Sequence, residues 1–187
     1  MLTWLFLLKN GATMKRKTTL KITQTALMTA LIAIMAQIVI PFFAVPMTLQ
    51  TFAVCLAGFL LGKYRSMASV AVYLALGAVG MPIFAGWQGS LGVLAGPTGG
   101  FLIGFLPLAF FCGISAKNKV LAALFPIIGL ILCHLMGICH FAFQSGNKLL
   151  PAFLLSSAPY LLKDFLSCFL ANLLAKKTSR IIGFNKN

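Results

Sequence analysis

The sequence predicts an all-α, polytopic membrane protein with six transmembrane helices, on three observations. Hydrophobic residues make up 60% of the chain and charged residues 9%, with a mean hydropathy of +1.01, where a soluble domain carries about 25% charged residues. Apolar runs recur near the length of about 20 residues that crosses a bilayer as a helix, separated by Gly, Pro and short basic clusters. Lys and Arg then fall on alternate connections, as their excess on the cytoplasmic side requires. A soluble domain is excluded because the polar side chains cannot cover its surface. Disorder is excluded because 17 Phe and long Leu, Ile and Ala runs are the opposite of a solvating composition. Residues 1–187 read as one membrane domain.

Residues 1–18 read as an N-terminal cytoplasmic extension. Leu2–Leu8 is apolar but too short to span, and it lacks the basic stretch that precedes a signal peptide's apolar core. Met14, a second candidate start, leads into Lys15, Arg16, Lys17 and Lys21. The first span is predicted at about 20–39, closed by Pro41, and the second at about 46–61, ended by Gly62. The third covers about 66–80, stopping at Gly80 and Pro82. Residues 81–98 form an outer loop that is uncharged, rich in Gly and Pro, and apolar at Ile83, Phe84, Trp87, Leu91, Val93 and Leu94. Irregular backbone this apolar must be buried in protein or fold over a cavity, so the loop between spans three and four is predicted to be a lid, hinged at Gly86, Gly89 and Gly92. The fourth span is predicted at about 99–114, the fifth at about 120–143 and the sixth at about 150–175.

The charges test this layout. With the N-terminus inside, the inner segments hold Lys9, Lys15, Arg16, Lys17, Lys21, Lys63, Arg65, Lys117, Lys119, Lys176, Lys177, Arg180 and Lys186, thirteen of the fifteen basic residues. The outer segments hold Lys148, and Lys163 falls within the sixth span. Both termini are therefore expected in the cytoplasm, with membrane lipid around the spans. The net charge of +14 does not imply a nucleic-acid partner, because no basic helix face is long enough to track a phosphate backbone.

Asp164 is the only carboxylate in the chain and lies inside a span beside Lys163. A charge at that depth costs a few kcal/mol unless it faces a cavity or a partner. Adjacent helix positions do not face one another, so a ligand or another span is the expected partner of Asp164 rather than Lys163. In the segment Pro41–Thr51 two prolines fix an extended connection, after which Thr48, Gln50 and Thr51 open the second span. Thr48 suits a cap, and Gln50 suits either a cap or a site, since an amide near the membrane needs donors and acceptors around it. Gly96, Pro97, Thr98, Gly99 and Gly100 open the fourth span, where free N–H groups favour a carboxylate. Gly96, Gly100 and Gly104 also recur every fourth residue, which suits close helix packing. Ala26, Ala30 and Ala33 form a small-residue flank on the first span that suits the same use, within the chain or with another subunit.

His134 and His140 lie six apart, a poor match for co-ligation, and read as polar packing or cavity residues. Cys55, Cys112, Cys133, Cys139 and Cys168 show no CxxC spacing and read as small core hydrophobes, so no metal site is expected. No GxxxxGK[ST] phosphate loop occurs, and one carboxylate excludes paired acid/base chemistry. An enzyme is not expected; transport of a small solute is.

The segments PFFAVPMTLQTFAVCLAGFLLG, GAVGMPIFAGWQGSLGVLAGPTGGFLIGF and APYLLKDFLSCFLANLLA closely resemble the BioY family, the biotin-binding membrane subunits (S components) of energy-coupling-factor transporters. The resemblance covers about residues 15–180. It implies an S-component-like fold and uptake of biotin as ligand, with no cofactor. It also implies partnership with a transmembrane coupling subunit and two ATP-binding-cassette ATPases in a bacterial inner membrane. By position it assigns ligand binding to Gln50, Thr51, Trp87, Gln88, Gly99, Phe101, Lys163 and Asp164, and docking on the coupling subunit to Ala26, Ala30 and Ala33. Two departures stand out: Phe101 replaces the family's usual tyrosine, and Ser167 stands where a lysine is common, with Lys163 as its candidate substitute. A stand-alone secondary transporter is the competing reading.

Overall fold

The computed structural model describes the backbone of residues 2–40 and 47–182 and the side chains of residues 18–40 and 47–179. The predicted extended connection through Pro41 and Pro46 lies outside the described residues. Helix α1 spans Leu2–Gln37, followed by β1 (Val39–Ile40), β2 (Met47–Thr48), α2 (Gln50–Leu61), α3 (Lys63–Ala78), α4 (Leu91–Ala95), α5 (Gly99–Cys112), α6 (Lys119–Ser145), α7 (Leu149–Ser156) and α8 (Ala158–Ile182). The short antiparallel pair β1–β2 sets Val39 opposite Thr48 and Ile40 opposite Met47, which returns the chain from α1 to the start of α2.

Helices fall within each of the six predicted segments, with shifted boundaries: α2 starts at Gln50, after β2, and α3 already at Lys63. The segment read as a separate extension is continuous with the first span, in one helix from Leu2 to Gln37. The predicted sixth span is broken at Ser157 into α7 and α8. Pro159 supplies the reason: it has no N–H to continue the ladder, and its ring clashes with the carbonyl four residues back.

Among the described residues, three helical segments are long and apolar enough to cross a membrane: Thr18–Gln37, Lys119–Ser145 and Ala158–Ser179. Helices α2 and α5, with 12 and 14 residues, reach only about 18 and 21 Å at 1.5 Å per residue. Neither covers the roughly 30 Å hydrocarbon thickness. Helix α2 is buried along its length except at Phe52, so it runs through the centre of the bundle, against α1, α3, α5 and α8. The basic connections gather at one end. Gly62 (φ +79°) turns α2 into α3, and Gly113 packs there so tightly that a Cβ would lie 2.3 Å from the Lys63 nitrogen. Arg65 donates to Gln24 of α1 at 2.7 Å. At the opposite end the short helices stop below the bundle's full height, and the space above them is a cavity.

The glycine pattern of the fourth span is a packing device. A Cβ on Gly100 would lie 2.4 Å from the His140 Cβ and 2.5 Å from the Met136 carbonyl oxygen, and one on Gly104 2.9 Å from the Cys133 Cα. Backbone contact this close joins α5 to α6. Ala26 and Ala30 of α1 are exposed, whereas Ala33 is half-buried against the core. The five cysteines are not all separate core residues: the sulfurs of Cys55, Cys112 and Cys168, from three helices, lie within 4.8 Å of one another.

Gly100→Ala forces α5 and α6 apart, an overpacking that costs about 1–3 kcal/mol. Purified in detergent, the substituted protein should unfold several degrees below the parent in a thermal scan. An unchanged Tm would mean that these helices are not in backbone contact.

Candidate ligand-binding site

Asp164 lies in the first half of α8, 7% exposed, on the wall of a cavity of about 710 Å³. A carboxylate this deep needs compensation, and three side chains supply it. His134 of α6 places Nε2 3.3 Å from Oδ2, and the Ser157 hydroxyl lies 2.6 Å from His134 Nδ1. With Asp164 ionised, Nε2–H donates to the carboxylate and Nδ1 accepts from Ser157, which fixes the tautomer. Ser157 reaches His134 because the chain breaks at that residue. The Lys163 ammonium makes an ion pair with Oδ1 and donates to the Thr48 carbonyl at 2.9 Å.

That ion pair corrects the expectation from helical spacing. The i,i+1 rule concerns the directions in which side chains leave the helix, and the four-carbon stem of Lys163 is long enough to fold back. Apart from that ion pair, Oδ1 has no hydrogen-bond partner of good geometry among the described residues. It is a buried acceptor beside the cavity with capacity left over.

The opening of α2 forms a second polar wall. Thr48 Oγ1 donates to Gln50 Oε1 at 2.8 Å, and Gln50 Nε2 donates to the Tyr73 hydroxyl at 2.7 Å. The Gln50 oxygen thus accepts one hydrogen bond, and one Nε2–H remains. Tyr73 passes its own proton to the Ile83 carbonyl at 3.3 Å, which ties α2 and α3 to the apolar loop. Thr51 lines the cavity beside Gln50, and Phe101, Leu102 and Phe105 of α5 give it an apolar side. Phe101 packs edge-on to His134 at 5.9 Å.

The loop 81–98 folds over the cavity in two unlike halves. Its first half is clamped: Gln37, at the end of α1, donates Nε2 to the Ile83 and Phe84 carbonyls at 3.2 and 3.1 Å and accepts from the Trp87 N–H at 3.0 Å. Phe84 is fully buried over Gly77 and packs edge-on to Tyr73 at 5.4 Å. The second half contains α4, capped by Ser90 and without a buried residue. It hangs on α6 through His140 to the Gly96 carbonyl at 3.0 Å, and through Gln144 to the Ala95 carbonyl. Of the three glycines read as hinges only Gly86 is in the left-handed region, at φ +70°. Gly89 is required instead by contact, since a Cβ there would sit 1.9 Å from the Met81 carbonyl oxygen.

Of the eight predicted ligand-binding residues, the structure brings six onto this cavity: Gln50, Thr51, Gln88, Phe101, Lys163 and Asp164. Two do not line it. Trp87 is 71% exposed, at φ +60°, with its N–H donating to Gln37. Gly99 is buried outside the cavity lining, where a Cβ would lie 1.7 Å from the Leu94 carbonyl oxygen. The anion site read at this helix start is also partly spent, since the Gly99, Phe101 and Leu102 N–H groups bond the Gly96 and Thr98 carbonyls. Gln37, Tyr73 and Ser157 were missed. An amide at the end of the first span was the available signal for Gln37, and Pro159, which breaks the helix two residues after Ser157, was the signal for Ser157.

A bundle of apolar helices around one cavity, floored by a compensated carboxylate and roofed by an apolar loop, is a multi-pass membrane protein built to enclose a small molecule. The sequence profile of the BioY family matches residues 10–184, and the chain belongs to that family. It is 37% identical over 158 residues to the "Probable biotin transporter BioY" of Pyrococcus horikoshii, covering 84% of this chain and 94% of that one. It is 35% identical over 161 residues to the "Biotin transporter BioY" of Thermotoga maritima, covering 84% and 95%. Its fold matches the crystal structure of "the S-component for biotin from an ECF-type ABC transporter" with a TM-score of 0.79 and 27% identity, over 88% of this chain and 93% of that one.

Ser157, His134 and Asp164 should behave energetically as one unit. Each hydrogen bond to the charged group is worth about 1.5–3 kcal/mol, but members of one network couple. Ser157→Ala and His134→Ala should each lower the Tm, and together by less than the sum of the two. Additive losses would show that the three side chains do not form a network.

Proposed function

We propose that this chain captures biotin in the cavity beside Asp164, and that it serves as the substrate-binding subunit of an energy-coupling-factor transporter. The free acceptor capacity of Asp164 Oδ1 carries the reading. Biotin's ureido ring offers two N–H donors and one carbonyl acceptor. Asp164 suits the donors, and the unused Nε2–H of Gln50 suits the carbonyl, with the Thr51 hydroxyl and the Gln88 amide also at hand. The thioether ring and the valeryl chain want an apolar lining, which Phe101, Leu102 and Phe105 provide. The ligand's carboxylate wants a cation, and Lys163 has one ammonium proton beyond the two contacts it already makes. A volume of about 710 Å³ falls in the range of about 300–1,000 Å³ usual for small-molecule sites.

The orientation follows from charge. The basic connections at one end of the bundle belong on the cytoplasmic side of a bacterial inner membrane, with both termini, and the cavity then opens to the outside. Energy comes from other chains: a transmembrane coupling subunit and two ATPases. The exposed Ala26 and Ala30, with the outer side of Ala33, give α1 a smooth lane on which a partner helix can approach closely.

Asp164→Asn keeps the size of the side chain but replaces an acceptor oxygen with a donor. Biotin affinity of the purified protein should fall by at least about tenfold, or roughly 1.4 kcal/mol. Equal affinity in the parent and the substituted protein would leave Asp164 a structural residue and remove the basis of this site.

Ala30→Trp, far from the cavity on an exposed face, should leave biotin binding intact and abolish uptake in cells that also express the coupling subunit and both ATPases. Undiminished uptake would place the docking surface elsewhere, and uptake without the ATPases would mark a stand-alone transporter.

A further inference from the structure

Below the cavity, three thiols from three helices converge. Cys55 of α2, Cys112 of α5 and Cys168 of α8 have their sulfur atoms within 4.8 Å of one another. Cys55 and Cys112 are buried and Cys168 is half-buried. Their place in the bundle is specific. Cys55 follows Thr51 by four residues on α2, and Cys168 follows Asp164 by four on α8. On each helix the thiol therefore lies just over one turn, about 6 Å at 1.5 Å per residue, beneath a residue of the ligand cavity. Cys168 also lines a second, smaller cavity of about 120 Å³ with Phe59, Phe165 and Asn172.

We propose that Cys55, Cys112 and Cys168 form a three-sulfur site for a soft monovalent cation of the Cu(I) type. Two considerations select the ion. First, sulfurs bound at about 2.3 Å around a planar three-coordinate ion sit about 4.0 Å apart, so the cluster needs a contraction of under about 1 Å. Second, sulfur ligands with no carboxylate or imidazole among them favour soft ions such as Cu(I), whereas structural Zn(II) takes four ligands. Each cysteine binds as thiolate, its proton passing to solvent, and no atom changes oxidation state. The smaller cavity gives the ion a way to Cys168. Once bound, the ion ties α8, which carries Lys163 and Asp164, to α2 and α5 directly beneath the biotin site.

The test uses the full chain in lipid nanodiscs, reduced and anaerobic, with Cu(I) supplied from a chelator of known affinity and then removed by desalting. One copper per chain should remain, with an X-ray absorption first shell of three sulfurs. Cys55→Ala and Cys168→Ala should each lose the ion, while Cys133→Ala and Cys139→Ala keep it. Copper retained by Cys168→Ala, a first shell with fewer than three sulfurs, or no copper retained by the parent would overturn the site. The parent's stoichiometry and spectrum decide the matter even where a cysteine variant fails to fold. Biotin affinity, measured on the metal-free parent, reports on the ligand site separately.

Discussion

The one carboxylate of this chain sets the terms for everything around it. Asp164 is buried among apolar helices, where an ionised group without compensation would cost several kcal/mol. Its neighbours are accordingly a histidine from α6, an ammonium from the preceding residue and, behind the histidine, the hydroxyl of Ser157. The helix break at Pro159 is what brings that hydroxyl into line. One oxygen is satisfied by His134, and the other keeps only an ion-pair contact. A group that is compensated yet not saturated can stay charged in the empty protein and still gain from a ligand's N–H donors.

The cavity that Asp164 faces follows from helix length. Helices α2 and α5 are too short to cross the bilayer, and both begin at the cavity. Glycines let α5 and α6 approach to backbone contact, which closes the bundle below without filling the space above. The roof is held from underneath. Gln37 and Tyr73, the latter held by Gln50, bind the loop's first half through its carbonyls and through the amide of Trp87. The second half is held by two hydrogen bonds from α6 and by Val93 and Leu94 packed against the core.

The chain's membership of the BioY family and the physical reading of its residues meet at the same cavity, but they weight its residues differently. Position in the family points to Trp87 and Gly99, whereas the geometry points to His134, which the sequence offered only as polar packing. Phe101 keeps the ring expected at its position and lacks a hydroxyl. Lys163 reaches the cavity from a different part of α8 than the residue-167 position would, because its stem is long enough to do so.

The sequence by itself determined the membrane class, the positions of the helices and the basic end of the bundle. Those depend on composition and on local runs, in which each residue's contribution is independent of distant partners. It also singled out Asp164, because a lone carboxylate in an apolar span is costly wherever it ends up. Only the assembled fold shows which groups compensate it, where the last predicted span divides, that Trp87 lies outside the cavity lining, and that cysteines at 55, 112 and 168 share one spot. Those outcomes turn on side-chain reach, on a proline's missing donor, and on contacts between helices far apart in sequence, none of which leaves a periodic trace along the chain.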